Sequence, residues 1–235
     1  MRLRAGIGIG IGIWLASQTA TAATIAVGGF SFEGGEAAFA DDAFLASGSG
    51  VRHTCLAGAA IPAASIGEAL SGSDLGRCVN VSGGGDGIVE VRFLDNRIQN
   101  APGSDLVIFE GSGLLPIGTP EPAERFGVSV LGSSGFTEFT DFDPVATGFS
   151  TPNDALHLFA VAIDLSAFGI APGAQVDRIR LHLRDNGAGS KGADITAVGA
   201  LHSVPVPEPG TGVLVAMGLA ALGAKRSIRD GSTRG

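Results

Sequence analysis

The chain lacks most of what a catalyst or a nucleic-acid binder needs. Its four histidines, His53, His157, His182 and His202, show neither H-x-x-x-H spacing nor an HExxH helix. No G-x-S-x-G elbow is present, which removes the usual strand-to-helix nucleophile turn. The glycine runs "GIGIGIG" and "GGGDG" do not sit between a strand and a helix, so they do not read as phosphate cradles. Cysteine is scarce: only Cys55 and Cys78, with no CxxC, which excludes a cysteine zinc site. Tyrosine is absent, and 13 phenylalanines against one tryptophan supply the aromatic surface. No internal repeat of fixed period is visible.

Positive charge is also short. From residue 23 to residue 206 there are 21 acidic and 9 basic residues, a net charge of −12, although the whole chain carries −8. Six of the 15 basic residues lie in the two ends. An acidic middle suits neither nucleic acid nor anionic lipid. It suits a secreted protein, a cation binder, or both.

What is present begins at the N-terminus. Arg2 and Arg4 precede an apolar run from Ala5 to Ala16, and Ala20-Thr21-Ala22 forms a small-x-small site. This is the pattern of a secretory signal peptide, residues 1–22, removed by signal peptidase. Export places Cys55 and Cys78 in an oxidising compartment, so they are expected to pair. The closed loop of about 24 residues is worth roughly 3 kcal/mol in the loop-entropy description.

Glycine is abundant, at 38 residues, and works against a helical fold. Residues 23–80 show little periodicity beyond "TIAVGGFSF", a first strand, and "IPAASIGEAL", one or two helical turns. Later segments alternate. "GIVEVRFLD", "ERFGVSVLG" and "DRIRLHLRD" place apolar side chains on one face and polar ones on the other. "DLVIFE" is a short buried strand, "ALHLFAVAIDLSAFG" a long one with a helical turn, and "DITAVGALHSV" closes the series. Turn clusters such as "NAPGS", "GSSG" and "APGA" separate them. The expectation is an all-β antiparallel sandwich, jelly-roll-like, over residues 23–203.

Three groups of residues invite a functional reading. Asp105, Asp185 and Asp194 sit at strand ends or in a Gly-rich loop, where oxygen ligands wrap calcium; the alternative is that Asp105 and Asp185 cap turns. Asp105 and Glu110, read as the first and last residues of one strand, point to opposite faces about 17 Å apart. They are not a catalytic pair. Arg178, Arg180, His182 and Arg184 form a row at about 6.7 Å spacing. This row reads as a contact for an acidic polysaccharide, or as a solvated face whose arginines pair with neighbouring carboxylates. The expectation is a non-catalytic protein, although so many acids leave a glycosidase pair open.

The C-terminal part has its own pattern. Pro207-Glu208-Pro209 precedes an apolar run from Gly210 to Ala224, and Lys225, Arg226 and Arg229 follow it. That run rises about 22 Å as a helix against a hydrocarbon core of roughly 30 Å. In this order the three parts, over residues 204–229 with 230–235 beyond, resemble the sorting tag of PEP-CTERM proteins. The resemblance implies a Gram-negative bacterium that makes exopolysaccharide. It implies transient anchoring in the inner membrane, with the basic cluster cytoplasmic, and processing by an exosortase-type enzyme. The destination it implies is the envelope surface or a biofilm matrix, in a structural or adhesive role.

A second resemblance lies in "NAPGSDLVIFE", "ERFGVSVLGSSG" and "RDNGAGSKGADITAVGAL". These are similar to discoidin-like or galactose-binding-like surface modules, which adds a lectin-like alternative. Asn100, Pro102, Gly103, Asp105, Phe109, Glu110, Asp185, Asp194, Ala197 and Val198 match. Ala193 and Thr196 depart from it where Phe and Asp are usual, which weakens a cation site there.

Overall fold

The computed structural model describes residues 23–54, 63–113, 123–151, 156–185 and 192–206. The strands run in chain order: β1 (Ile25–Val27), β2 (Phe30–Phe32), β3 (Asp42–Arg52), β4 (Asn80–Arg92), β5 (Asn96–Gln99), β6 (Leu106–Gly113), β7 (Phe126–Gly132), β8 (Gly135–Phe136), β9 (Thr140–Phe142), β10 (Val145–Ser150), β11 (Leu156–Ile163), β12 (Gln175–Val176), β13 (Arg178–Arg184), β14 (Ile195–Ala200) and β15 (Ser203–Pro205). Among the described residues the one α-helix, α1 (Ile66–Leu70), is short and starts at Ser65, whose side chain accepts from the Glu68 N–H. Glu68 in turn accepts from the Ala64 N–H, so each end of the pair satisfies a backbone donor.

Two antiparallel sheets make the sandwich, as the alternation implies. One has the order β3-β4-β13-β7-β8, with β9 also on β7; the other has the order β10-β11-β6-β14. Between them lie Val89, Val91, Val128, Val130, Ile179, Leu181 and Leu183 from the first sheet, against Leu106, Ile108, Val161, Ile163, Ile195 and Val198 from the second. In β13 the inward residues are buried and the polar ones half-exposed, the period of two seen in its sequence. A small third sheet, β12-β5-β15, closes one side.

Within the second sheet, β11, β6 and β14 are buried on both faces, while the edge strand β10 is exposed. Val107, Phe109, Leu158, Ala160 and Ala197 point away from the sandwich, onto Phe32 and Phe39. This is why "DLVIFE" reads as a continuous apolar run rather than an alternating one. The covering layer is the β1–β2 hairpin, so "TIAVGGFSF" is two strands and not one. Gly28 and Gly29 turn between them at φ +55° and +87°. Gly28 also lies so close to the sheet that a Cβ there would come within 2.6 Å of the Phe109 ring.

Two further differences concern strand limits. Asp105 lies just before β6, and Glu110 lies inside it rather than at its end, because the strand continues to Gly113. β3 carries little sequence signal because most of it is exposed, in a long ribbon with β4. Among the described residues, no helix is long and apolar enough to cross a membrane. The signal segment, Cys55 and the tail from residue 207 lie outside the described residues.

Candidate functional site

The outer face of the first sheet carries the charged row. β13 lies between β4 and β7, with Arg180 opposite Glu90 and Ser129, and His182 opposite Ile88 and Gly127. Glu90 is only 4% exposed. Its Oε1 accepts from Arg92 Nε and Nη2, both at 3.3 Å. Its Oε2 accepts from Arg180 Nε at 3.2 Å and Nη2 at 3.0 Å. Arg178 is held loosely, 3.9 Å from Glu90 and 3.8 Å from Asp177. Two guanidiniums lie over rings: Arg180 is 3.7 Å from the Phe136 centroid and Arg92 is 4.3 Å from that of Phe44.

The other end of the row is a chain of polar groups. Arg184 donates from Nη2 to Asp141 at 2.7 Å and from Nε to His182 Nδ1 at 3.1 Å. Arginine has no acceptor, so Nδ1 must accept and the histidine proton sits on Nε2. Nε2 lies 2.6 Å from Asp86 Oδ1 and donates to it. The Phe139 ring stands beside His182, with centroids 5.1 Å apart. Gly127 is buried beneath these groups. A Cβ there would lie 3.2 Å from both Asp141 Oδ1 and His182 Cβ, and 3.4 Å from the Phe139 ring. The face thus combines planar hydrogen-bonding groups with aromatic plates, and its cations have carboxylate partners.

The three aspartates read as calcium candidates are not brought together. Asp105 is fully buried and ties loops, with Oδ1 accepting from the Ala101 N–H and Oδ2 from the Leu165 N–H. Asp185 accepts from the Gly84 N–H at 2.6 Å. Asp194 accepts from Asn80 Nδ2 at 2.8 Å, and its carbonyl accepts from the Gly111 N–H. Asp105 is six residues from Gly111 along β6, so it lies about 20 Å from Asp194. Cys78 is buried, at the start of the segment leading into β4.

The most unusual group is one that the sequence places at a strand end. Glu110 is 1% exposed and faces the sandwich interior. Neither of its oxygens has a hydrogen-bond partner. Burial first, then the nearby charges of Glu124 and Asp194, push its carboxyl from the ordinary 4.5 up to about 9, against the smaller opposing pull of the Glu124 and Asp194 backbone N–H groups. The signal was legible in principle: one acid embedded in the apolar run "LVIFEG".

No curated protein matches the chain. Among solved structures, it is similar to the C-terminal domain of a chitobiase from Bacteroides fragilis, at 12% identity and a TM-score of 0.38, over 70% of this chain and 95% of that one. A model of the PEP-CTERM protein-sorting motif matches residues 205–229, covering Pro207, Glu208, Pro209 and the basic cluster. The chain therefore carries, at its C-terminal end, the motif of an exported surface protein sorted by an exosortase-type system.

Proposed function

We propose that the sandwich is a non-catalytic structural or adhesive component of an exopolysaccharide or biofilm matrix. Signal peptidase releases it from its leader, the tail holds it briefly in the inner membrane, and an exosortase-type enzyme processes that tail. The sorting motif at residues 205–229 is the observation that carries this reading. The surface offered to polysaccharide is the outer face of β4, β13 and β7. Four of the nine basic residues between positions 23 and 206 stand there: Arg92, Arg178, Arg180 and Arg184. On so acidic a chain, this face repels a polyanion least. A Cys55–Cys78 disulfide would brace the loop that leads into β4.

Deleting the gene should change floc or biofilm texture, and the mature protein should fractionate with the matrix at a mass lacking both ends. Normal aggregation together with protein free in the medium would refute the reading.

The corner of this face around Phe139 and His182 supports a second reading, a lectin-like module for a defined sugar. Phe139 offers a ring face there, and Asp141, His182 and Arg184 offer planar hydrogen-bonding groups. Binding on a glycan array that Phe139→Ala abolishes would favour it, and a blank array would remove it. Turnover of a bound glycan would instead show a glycan-active enzyme.

A further inference from the structure

One end of the sandwich interior holds buried oxygens that make no hydrogen bond to the protein's own groups. Glu110 projects from β6 between its cross-strand neighbours Phe159 and Ile195. No donor meets its two oxygens with hydrogen-bond geometry, although the backbone N–H groups of Glu124 and Asp194 lie near enough to favour its charge, and the charged side chains that act on it, Glu124 and Asp194, have its own sign. Asn80, at the start of β4, is fully buried beside Asp194. Its Nδ2 donates to Thr54 O and to Asp194 Oδ1, which fixes the amide orientation and leaves Oδ1 unpaired. Three buried acceptor atoms from two strands are thus unsatisfied around one further carboxylate. Native interiors seldom tolerate this without an ion, a water or a proton.

The chemistry of the set selects among these. All the groups are oxygens, from carboxylates and an amide, with no imidazole or thiolate among the unsatisfied acceptors. That set suits a hard cation and does not suit zinc or copper. We propose that Glu110, Asp194 and Asn80 Oδ1 bind a divalent cation of the calcium class, with Glu124 adding negative charge. Among the described residues, no three acidic, histidine or cysteine side chains already form a cage, so binding draws Glu110 towards Asp194. The ion joins β6 and the lead into β14 on one sheet to the start of β4 on the other. It is therefore a clasp between the two sheets, and it is independent of the polysaccharide face. Of the aspartates singled out in the sequence, only Asp194 belongs to it.

The test uses the exported protein, stripped with EGTA and titrated with calcium chloride. Isothermal titration should show one saturable site, and the melting temperature should rise with occupancy. Glu110→Gln keeps the shape, removes the charge, and should abolish both effects with the near-UV circular dichroism unchanged. Glu124→Gln, at a half-exposed position, should fold normally and weaken binding several-fold. Calcium binding that Glu110→Gln leaves intact would place the ion elsewhere on the acidic surface and overturn the proposal. So would the absence of binding, with Glu110→Gln more stable than the parent at neutral pH in calcium, because a proton would then hold Glu110.

Discussion

Glu90 and Glu110 are two buried glutamates with opposite surroundings. Both sit within strands, at 4% and 1% exposure. Glu90 faces outward on β4 and is covered by the guanidiniums of Arg92 and Arg180, with Arg178 at the edge. Glu110 faces inward on β6, and the charged side chains nearest to it, Glu124 and Asp194, are carboxylates. The difference follows from the pattern of each strand. "VEVR" alternates, so the neighbours of Glu90 on its own face are polar and cross-strand arginines can reach it. "LVIFE" does not alternate, because β6 is buried on both sides. Its acid must share the core with Ile108 and Ile195. Burial alone does not decide what a carboxylate does; the sign of the groups that cover it does.

The largest effect should come from removing the compensated one. Glu90→Ala leaves Arg92 and Arg180 facing each other without an acceptor. The guanidiniums are about a third exposed, so water takes up part of the loss. A destabilisation of about 2–3 kcal/mol is expected in urea unfolding. A change below about 0.5 kcal/mol would mean that solvent screens the whole cluster.

The second effect is a pH dependence, read with EGTA present. The folded-state carboxyl of Glu110 is raised to about 9 from the ordinary 4.5. The folded state therefore holds a proton that the unfolded state has lost between those values. Its contribution to stability is fully present below about 4.5 and is lost as pH rises towards 9, at up to about 1.4 kcal/mol per pH unit. Glu110→Gln should flatten this slope and exceed the parent in stability at pH 8. Urea midpoints for both proteins between pH 5 and 9 measure it. Parallel curves would mean that Glu110 ionises freely in the native state.

The same contrast explains what could be read from the sequence. β4, β7 and β13 were legible because one face of their sheet meets water, and a period of two survives in the residues. β3 was not, because "DAFLASGSGVR" is mostly exposed and has no apolar face to repeat. Its Gly48 is instead fixed by a close approach, since a Cβ there would sit 2.1 Å from the Asp86 carbonyl oxygen. The β1–β2 hairpin was hidden in an apparent single strand, although Gly-Gly between two apolar runs is a known turn signal. The charged row was legible as residues on one face, and both of its readings were open. Its carboxylate partners come from β4 and from Asp141 on β9, a pairing that only the register supplies. Glu110 was assigned to a strand end, where an acid is unremarkable. The strand continues to Gly113, and that extension is what turns an ordinary residue into a buried one.

The smallest effect on stability should carry the most functional information. Arg178 is the loosest member of the Glu90 cluster, with contacts of 3.8 and 3.9 Å and a side chain 44% exposed. Pairs of that kind contribute little, so Arg178→Ala should cost less than about 0.5 kcal/mol. Its charge, however, is the one on this face least committed to a carboxylate, and so the most available to a passing polyanion. Binding of the exported protein to the extracted exopolysaccharide should therefore weaken in Arg178→Ala. The loss should fade as salt rises, because exposed charges are screened within about 10 Å at 0.1 M. Unchanged binding at low salt, in a variant with parental unfolding, would separate the Glu90 cluster from the matrix contact and leave the corner around Phe139 and His182 as the surface to test.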